Sequence, residues 1–84
     1  MVDINPKKYN LSSRVKLKKG PKGIFIFIDR KSRVVMKDGY KIINIVKKIK
    51  QIENHVKINV LSSAPICSKT KQFLFKKGVF VKSV

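Results

Sequence analysis

The chain has 84 residues, enough for one small domain, and 21 Lys plus Arg against 4 Asp plus Glu give it a formal net charge of +17. With 43% hydrophobic residues it suits a globular fold rather than a disordered tail, and its longest apolar run, "IFIFI", is far short of the ~20 residues of a membrane span. One cysteine excludes an internal disulfide, and no secretory h-region opens the chain, so a cytoplasmic, reducing location is expected.

Residues 1–12 are polar, hold Pro6 and lack a period; they read as a flexible arm ahead of a single domain spanning 13–84. "SRVKLKK" alternates, with Val15 and Leu17 on one side and Arg14, Lys16 and Lys18 on the other, as a half-buried strand does. "GPKG" is turn chemistry, and "IFIFIDR" is apolar on both faces, which suits a central, covered strand. "RVVM" is either a short strand or the exit from the previous one, and the Asp38-Gly39 pair marks a turn.

Ile42, Ile45, Val46, Ile49 and Ile52 recur at three and four, which predicts a helix over about Tyr40 to Glu53. "HVKINVL" is a β-branched strand and "SSAP" a strand-to-helix corner. Ile66, Thr70, Phe73 and Leu74 give a second helix an apolar face, Gly78 closes it, and "VFVKSV" is a last strand. The expected fold is α/β or α+β in the order β-β-α-β-α-β. It combines a Rossmann-like parallel core with an antiparallel basic hairpin at one edge, in two or three layers.

Two corners are candidates for chemistry. At "SSAPICSK", Ser62 or Ser63 caps the helix and Pro65 enters its first turn. Free backbone N–H groups there, with Ser62, Ser63, Ser68, Lys69 and Lys71, could seat an anion and lower the pKa of Cys67. Packing as a small core residue is the first reading of Cys67, with an anion seat or a reactive thiol as alternatives. The segment resembles the active-site helix of glutaredoxins, whose Cys-Pro-x-Cys motif opens a helix. Ala64 stands at that motif's first cysteine and only Cys67 matches the second, so dithiol exchange is not expected.

Asp29 ends the "IFIFI" strand and is the other candidate catalytic group. "FIDRKSR" is similar to the Glu-x-Lys-Ser-Arg segment of archaeal Holliday-junction resolvases, which implies an acidic role for Asp29 and a basic one for Lys31. The same strand end resembles that of haloacid-dehalogenase phosphatases, with Ser62 or Ser63 at the second strand. Resolvases need upstream carboxylates, where only Asp3 lies, and the phosphatases' second aspartate falls on Lys31. A structural pairing of Asp29 with Arg30, Arg33 or a lysine is therefore favoured. His55 has no metal-ligand spacing beside it, and neither a metal nor a cofactor is expected.

The excess of cations is the strongest functional signal. Arg14, Lys16, Lys18, Lys19 and Lys22 on the hairpin, with Lys41, Lys47, Lys48 and Lys50 on the first helix, are the expected nucleic-acid contacts. Eighteen lysines to three arginines favour phosphate contact over base reading. Tyr9 and Tyr40 are the candidate exposed rings, while Phe25, Phe27 and Phe73 read as core, so duplex DNA or structured RNA is preferred over a single strand. The expected function is non-catalytic nucleic-acid binding. The alternatives are a small enzyme or enzyme subunit acting on a phosphorylated substrate through Asp29 and the Ser63–Cys67 corner, and a basic adaptor that docks on an acidic protein or assembles through a bare sheet edge such as "VFVKSV".

Overall fold

The computed structural model describes residues 2–83. The chain runs through β1 (Val2–Ile4), a 3-10 turn (Pro6–Tyr9), β2 (Lys16–Gly20), β3 (Gly23–Ile28), α1 (Met36–Ile52), β4 (Ile58–Ser62), α2 (Ser68–Lys76) and β5 (Phe80–Ser83). The five strands form one sheet in the order β1-β2-β3-β4-β5. β1, β2 and β3 pair antiparallel, whereas β3, β4 and β5 pair parallel. The strand–helix alternation and the antiparallel hairpin are as expected; a further strand precedes them and takes the edge position beyond β2. No helix among the described residues is long and apolar enough to cross a membrane.

The layer count follows from chirality. Right-handed crossovers from β3 to β4 and from β4 to β5 move in the same direction, so both helices land on one face of the sheet. Leu17, Ile24, Ile26 and Val60 point into that face and meet Ile42, Val46 and Ile49 of α1 and Leu74 of α2. Removing such side chains from water contributes about 1.5–3 kcal/mol each, and they form one core among the described residues. Two layers result, and the second face of the sheet has no element over it among the described residues.

Two local readings give way to tertiary contacts, the Asp-Gly turn and the strand option for "RVVM". The Asp38-Gly39 pair does not turn the chain; it lies in the first turn of α1, which begins at Met36. Asp38 accepts a hydrogen bond from the Val35 N–H at 2.9 Å and an ion pair from Arg30 at 2.5 Å, so its carboxylate caps the helix instead of starting a turn. Gly39 is buried where α1 crosses α2, and a Cβ there would sit 3.1 Å from the Thr70 methyl. "RVVM" is not a strand; Val34 forms a single bridge to Ile66 before the helix starts.

The segment read as a flexible arm is packed into the fold. Val2–Ile4 pairs with β2, and Tyr9 is only 1% exposed, so it is not the free ring expected of it. The Tyr9 hydroxyl donates to Glu53, the residue that ends α1. A carboxylate at a helix C-terminus opposes the dipole, and the phenol offsets that cost. Burial first, then the hydrogen bond and charge of Glu53, push the Tyr9 phenol up to about 12.

The hairpin turn and the end of α2 each rest on one glycine. Gly23 has φ +123°, and a Cβ on it would fall 2.3 Å from the Lys57 carbonyl oxygen, which already accepts from the Ile24 N–H at 2.8 Å. Gly78, at φ +79°, closes α2 in a Schellman motif: Val79 N–H bonds Leu74 O at 2.9 Å and Gly78 N–H bonds Phe75 O at 3.0 Å.

Gly23→Ala should therefore destabilise well beyond the ~1–2 kcal/mol of left-handed strain alone, whereas Gly78→Ala, with open space around it, should cost about that much. Urea unfolding of the two variants checks the ranking. Tyr9→Phe should cost about 1–3 kcal/mol at neutral pH. Because the folded phenol titrates near 12 and its ordinary value is 10.0, the wild-type advantage is complete below pH 10 and shrinks as pH rises through about 12. Unfolding curves of both proteins across that window measure the gap.

Candidate nucleic-acid interface

Alternation along the strands decides which side chains face the uncovered side. In β3, Ile24 and Ile26 are buried against the helices while Phe25 and Phe27 point the other way and are only partly buried. Both phenylalanines were expected in the core; a strand that is apolar on both sides is central here, but covered on one side only. Register extends the pattern across the sheet. Lys18, Phe25, Asn59 and Phe80 form one row, with Asp3 beyond Lys18, and Lys16, Phe27, Leu61 and Lys82 form the next.

This face thus carries three rings and three lysines. Phe80 is 54% exposed, and its ring meets Phe75 edge-on at 5.6 Å where α2 leads into β5. The Lys18 ammonium lies 5.1 Å from the centre of the Phe27 ring, within cation–π range. Two grooves lie at the ends of the sheet. One, at the start of the parallel strands, is lined by Lys22, His55, Lys57, Asn59 and Phe80. The other, at the far end, lies between the sheet and α1, where Arg14, Lys16, Phe27 and Lys41 share its lining with Asp38 and the helix-side Ile26.

The expected contact set is therefore split. Lys16 and Lys18 share the open face, Lys22 borders it at the turn, and Arg14 and Lys41 line the groove between the sheet and α1 together with Asp38. Lys19 alternates to the helix side, opposite Ile24, and stays exposed at the end of the hairpin. Lys47, Lys48 and Lys50 are exposed on the outer side of α1, a full layer away from the sheet face. Lys82, absent from the sequence-based set, joins the open face through its register with Leu61. Tyr40 is 57% exposed as expected, and it lies on α1 with its ring edge-on to Phe73 at 5.2 Å. Phe73 is partly buried against the core, and His55 is exposed.

The corner at Cys67 is rebuilt by backbone pairing. α2 starts at Ser68 with Cys67 as its N-cap, not at a serine of "SSAP". Ser62 is buried and exchanges hydrogen bonds with the backbone of Ala64. The loops after β3 and β4 run to the same face and close on each other: Ser63 N–H bonds Ile28 O, Val34 N–H bonds Pro65 O, and Cys67 N–H bonds Val34 O, each at 2.9 Å. A ligand crevice at strand ends needs loops that diverge to opposite faces, and sequential strand order supplies none here.

Ser68, Lys69 and Lys71 are exposed around the helix start, but the nearer Ser63 hydroxyl donates to Asp29 at 2.8 Å, which places a carboxylate at the proposed anion seat. Asp29 thus pairs with Ser63 and not with an arginine; Arg30 is taken by Asp38. Among the described residues no three His, Cys, Asp or Glu side chains gather as a metal site would require. Asp3, the only upstream carboxylate, lies on β1 across from Lys18 and is not part of an acidic pair with Asp29.

Cys67 is half-buried and outside the core cluster, contrary to the packing expected of it. The N–H groups of Lys69 and then Thr70 lower its thiol below the ordinary value; slight desolvation opposes them and the Arg33 charge adds to them. Comparison with family models, with curated proteins and with solved structures finds no match for this chain.

The rate of iodoacetamide alkylation of Cys67 should rise with pH around a midpoint below the ~8.5 of an unperturbed thiol, and Arg33→Ala should move that midpoint upward. A midpoint at or above that of a free thiol contradicts the assignment.

Proposed function

We propose that this chain binds nucleic acid without acting on it chemically, holding phosphates with cations that have no carboxylate of their own. The observation that carries this reading is the use made of the acids. Among the described residues the only ion pair is Arg30–Asp38. Asp29 accepts from Ser63 and Glu53 from Tyr9, which leaves Asp3 alone beside the lysines of the sheet. Nearly all of the 21 cations are therefore neutralised by nothing within the fold, and self-repulsion of this size is relieved by a polyanion. Lysine predominance supports phosphate contact with little sequence preference.

The enzyme reading has one observation in its favour, the 2.8 Å contact that joins Asp29 and Ser63 at neighbouring parallel strand ends. The contact supplies no second acid and no base for the hydroxyl, so a binding role is the better supported of the two. Asp29→Asn should accordingly leave nucleic-acid affinity unchanged.

Binding to fluorescein-labelled oligonucleotides should weaken linearly in log K against log salt, with a slope of several units, so that affinity drops steeply between about 50 and 200 mM. Affinity independent of salt over that range overturns the reading. Polyglutamate that competes as well as the oligonucleotide would assign the charge to an acidic protein instead.

A further inference from the structure

We propose that the uncovered sheet face is a stacking platform for an unpaired, single-stranded nucleic acid. The inference rests on the nucleic-acid reading above and names the form of the ligand. Phe25 and Phe27 occupy the central strand and Phe80 the edge strand, with Lys16, Lys18 and Lys82 interleaved around them. Rings that neither pack in the core nor lie under another element leave apolar surface in water, and contiguous surface of this kind marks a binding site.

Charge and shape select the occupant. A second copy of this chain laid face to face would set Lys16, Lys18 and Lys82 against the same lysines, with only Asp3 in register to offset them. A duplex keeps its bases stacked inside and offers the rings nothing to stack on. A single strand brings both chemistries at every nucleotide: a π-face for a ring and a phosphate for a lysine. Uncovered sheets with aromatic side chains on their central strands hold unpaired bases in this way.

The spacing fits successive nucleotides. Phe25 and Phe27 are two residues apart on one strand, about 6.7 Å, and Phe80 lies two strands from Phe25, about 9.6 Å. Asn59 sits between Phe25 and Phe80 in register, where its amide can both donate to and accept from a base edge. The groove at the start of the parallel strands extends the track past Phe80 toward Lys22 and Lys57. The preference for duplex drawn from the sequence depended on placing Phe25 and Phe27 in the core, and their position on the open face reverses it.

The test compares labelled oligothymidylate, oligouridylate and a duplex of equal phosphate number by anisotropy at fixed salt, with heparin as a charge-only competitor. The single strands should bind more tightly than the duplex; the ratio of the two single strands tells DNA from RNA. Phe25→Leu and Phe80→Leu, which keep an apolar side chain, should each weaken single-strand binding about tenfold. Duplex and heparin affinities and the salt slope should stay as in wild type. NMR of the wild-type protein should show ring-current shifts of the Phe25, Phe27 and Phe80 protons on adding oligothymidylate, a readout that does not depend on the variants folding. Equal affinity for duplex and single strand, unshifted rings, or variants that bind as wild type does would overturn the platform while leaving the phosphate reading intact. Phe25→Leu and Phe80→Leu variants that weaken polyglutamate binding but leave oligonucleotide binding unchanged would overturn it in favour of an acidic protein. Binding to no nucleic acid at all would overturn both.

Discussion

Two right-handed crossovers running in the same direction put α1 and α2 on one face of the sheet, and that placement governs the rest of the molecule. It gathers Leu17, Ile24, Ile26 and Val60 under Ile42, Val46, Ile49 and Leu74 as a single core. It also leaves the alternate residues of the same strands, Phe25, Phe27, Asn59 and Leu61, without a covering layer. The close crossing of the helices at Gly39 and Thr70 keeps the covered face compact enough for a chain of this size. A reversal of either crossover would bury the second face and expose part of the first.

Electrostatics divides the chain in a complementary way. The few carboxylates are spent on structure: Asp38 caps α1 and holds Arg30, Glu53 receives the Tyr9 hydroxyl, and Asp29 receives Ser63. Arg30 also donates to the carbonyls of Ser32 and Arg33, so one ion pair organises the whole loop between β3 and α1. No lysine is held by a carboxylate among the described residues, although Lys48 donates to the Asn10 carbonyl, and lysines line both the open sheet face and the outer side of α1. The first of these surfaces interleaves its cations with three aromatic rings, and it is the one we propose as the ligand surface.

The places where local signals failed share a cause. Asp38-Gly39 reads as a turn because both residues tolerate turn geometry, yet the same carboxylate at the third helical position satisfies a backbone N–H and an arginine. Gly39 then lies at the close approach of α2, where a Cβ would crowd the Thr70 methyl, and no local window contains that contact. Tyr9 looked free because its neighbours are polar, but its partner, Glu53, lies 44 positions away. The serines of "SSAP" fit a cap, but the loop hydrogen bonds to Ile28 and Val34 displace the helix start to Ser68.

From β2 onward the element types, their order and the parallel pairing, together with the cation excess, were determined by the sequence, since periodicity, turn residues and charge are local or additive properties; β1 was not, because its segment carries no period. Which cations lie together, where Cys67 and Asp29 find partners, and which side of "IFIFI" meets water were decided only in three dimensions. A strand with apolar residues on both sides reads the same whether two layers cover it or one, because alternation records polarity and not what lies opposite. Only the direction of the crossovers settles that, and here it turns Phe25 and Phe27 from expected core into surface.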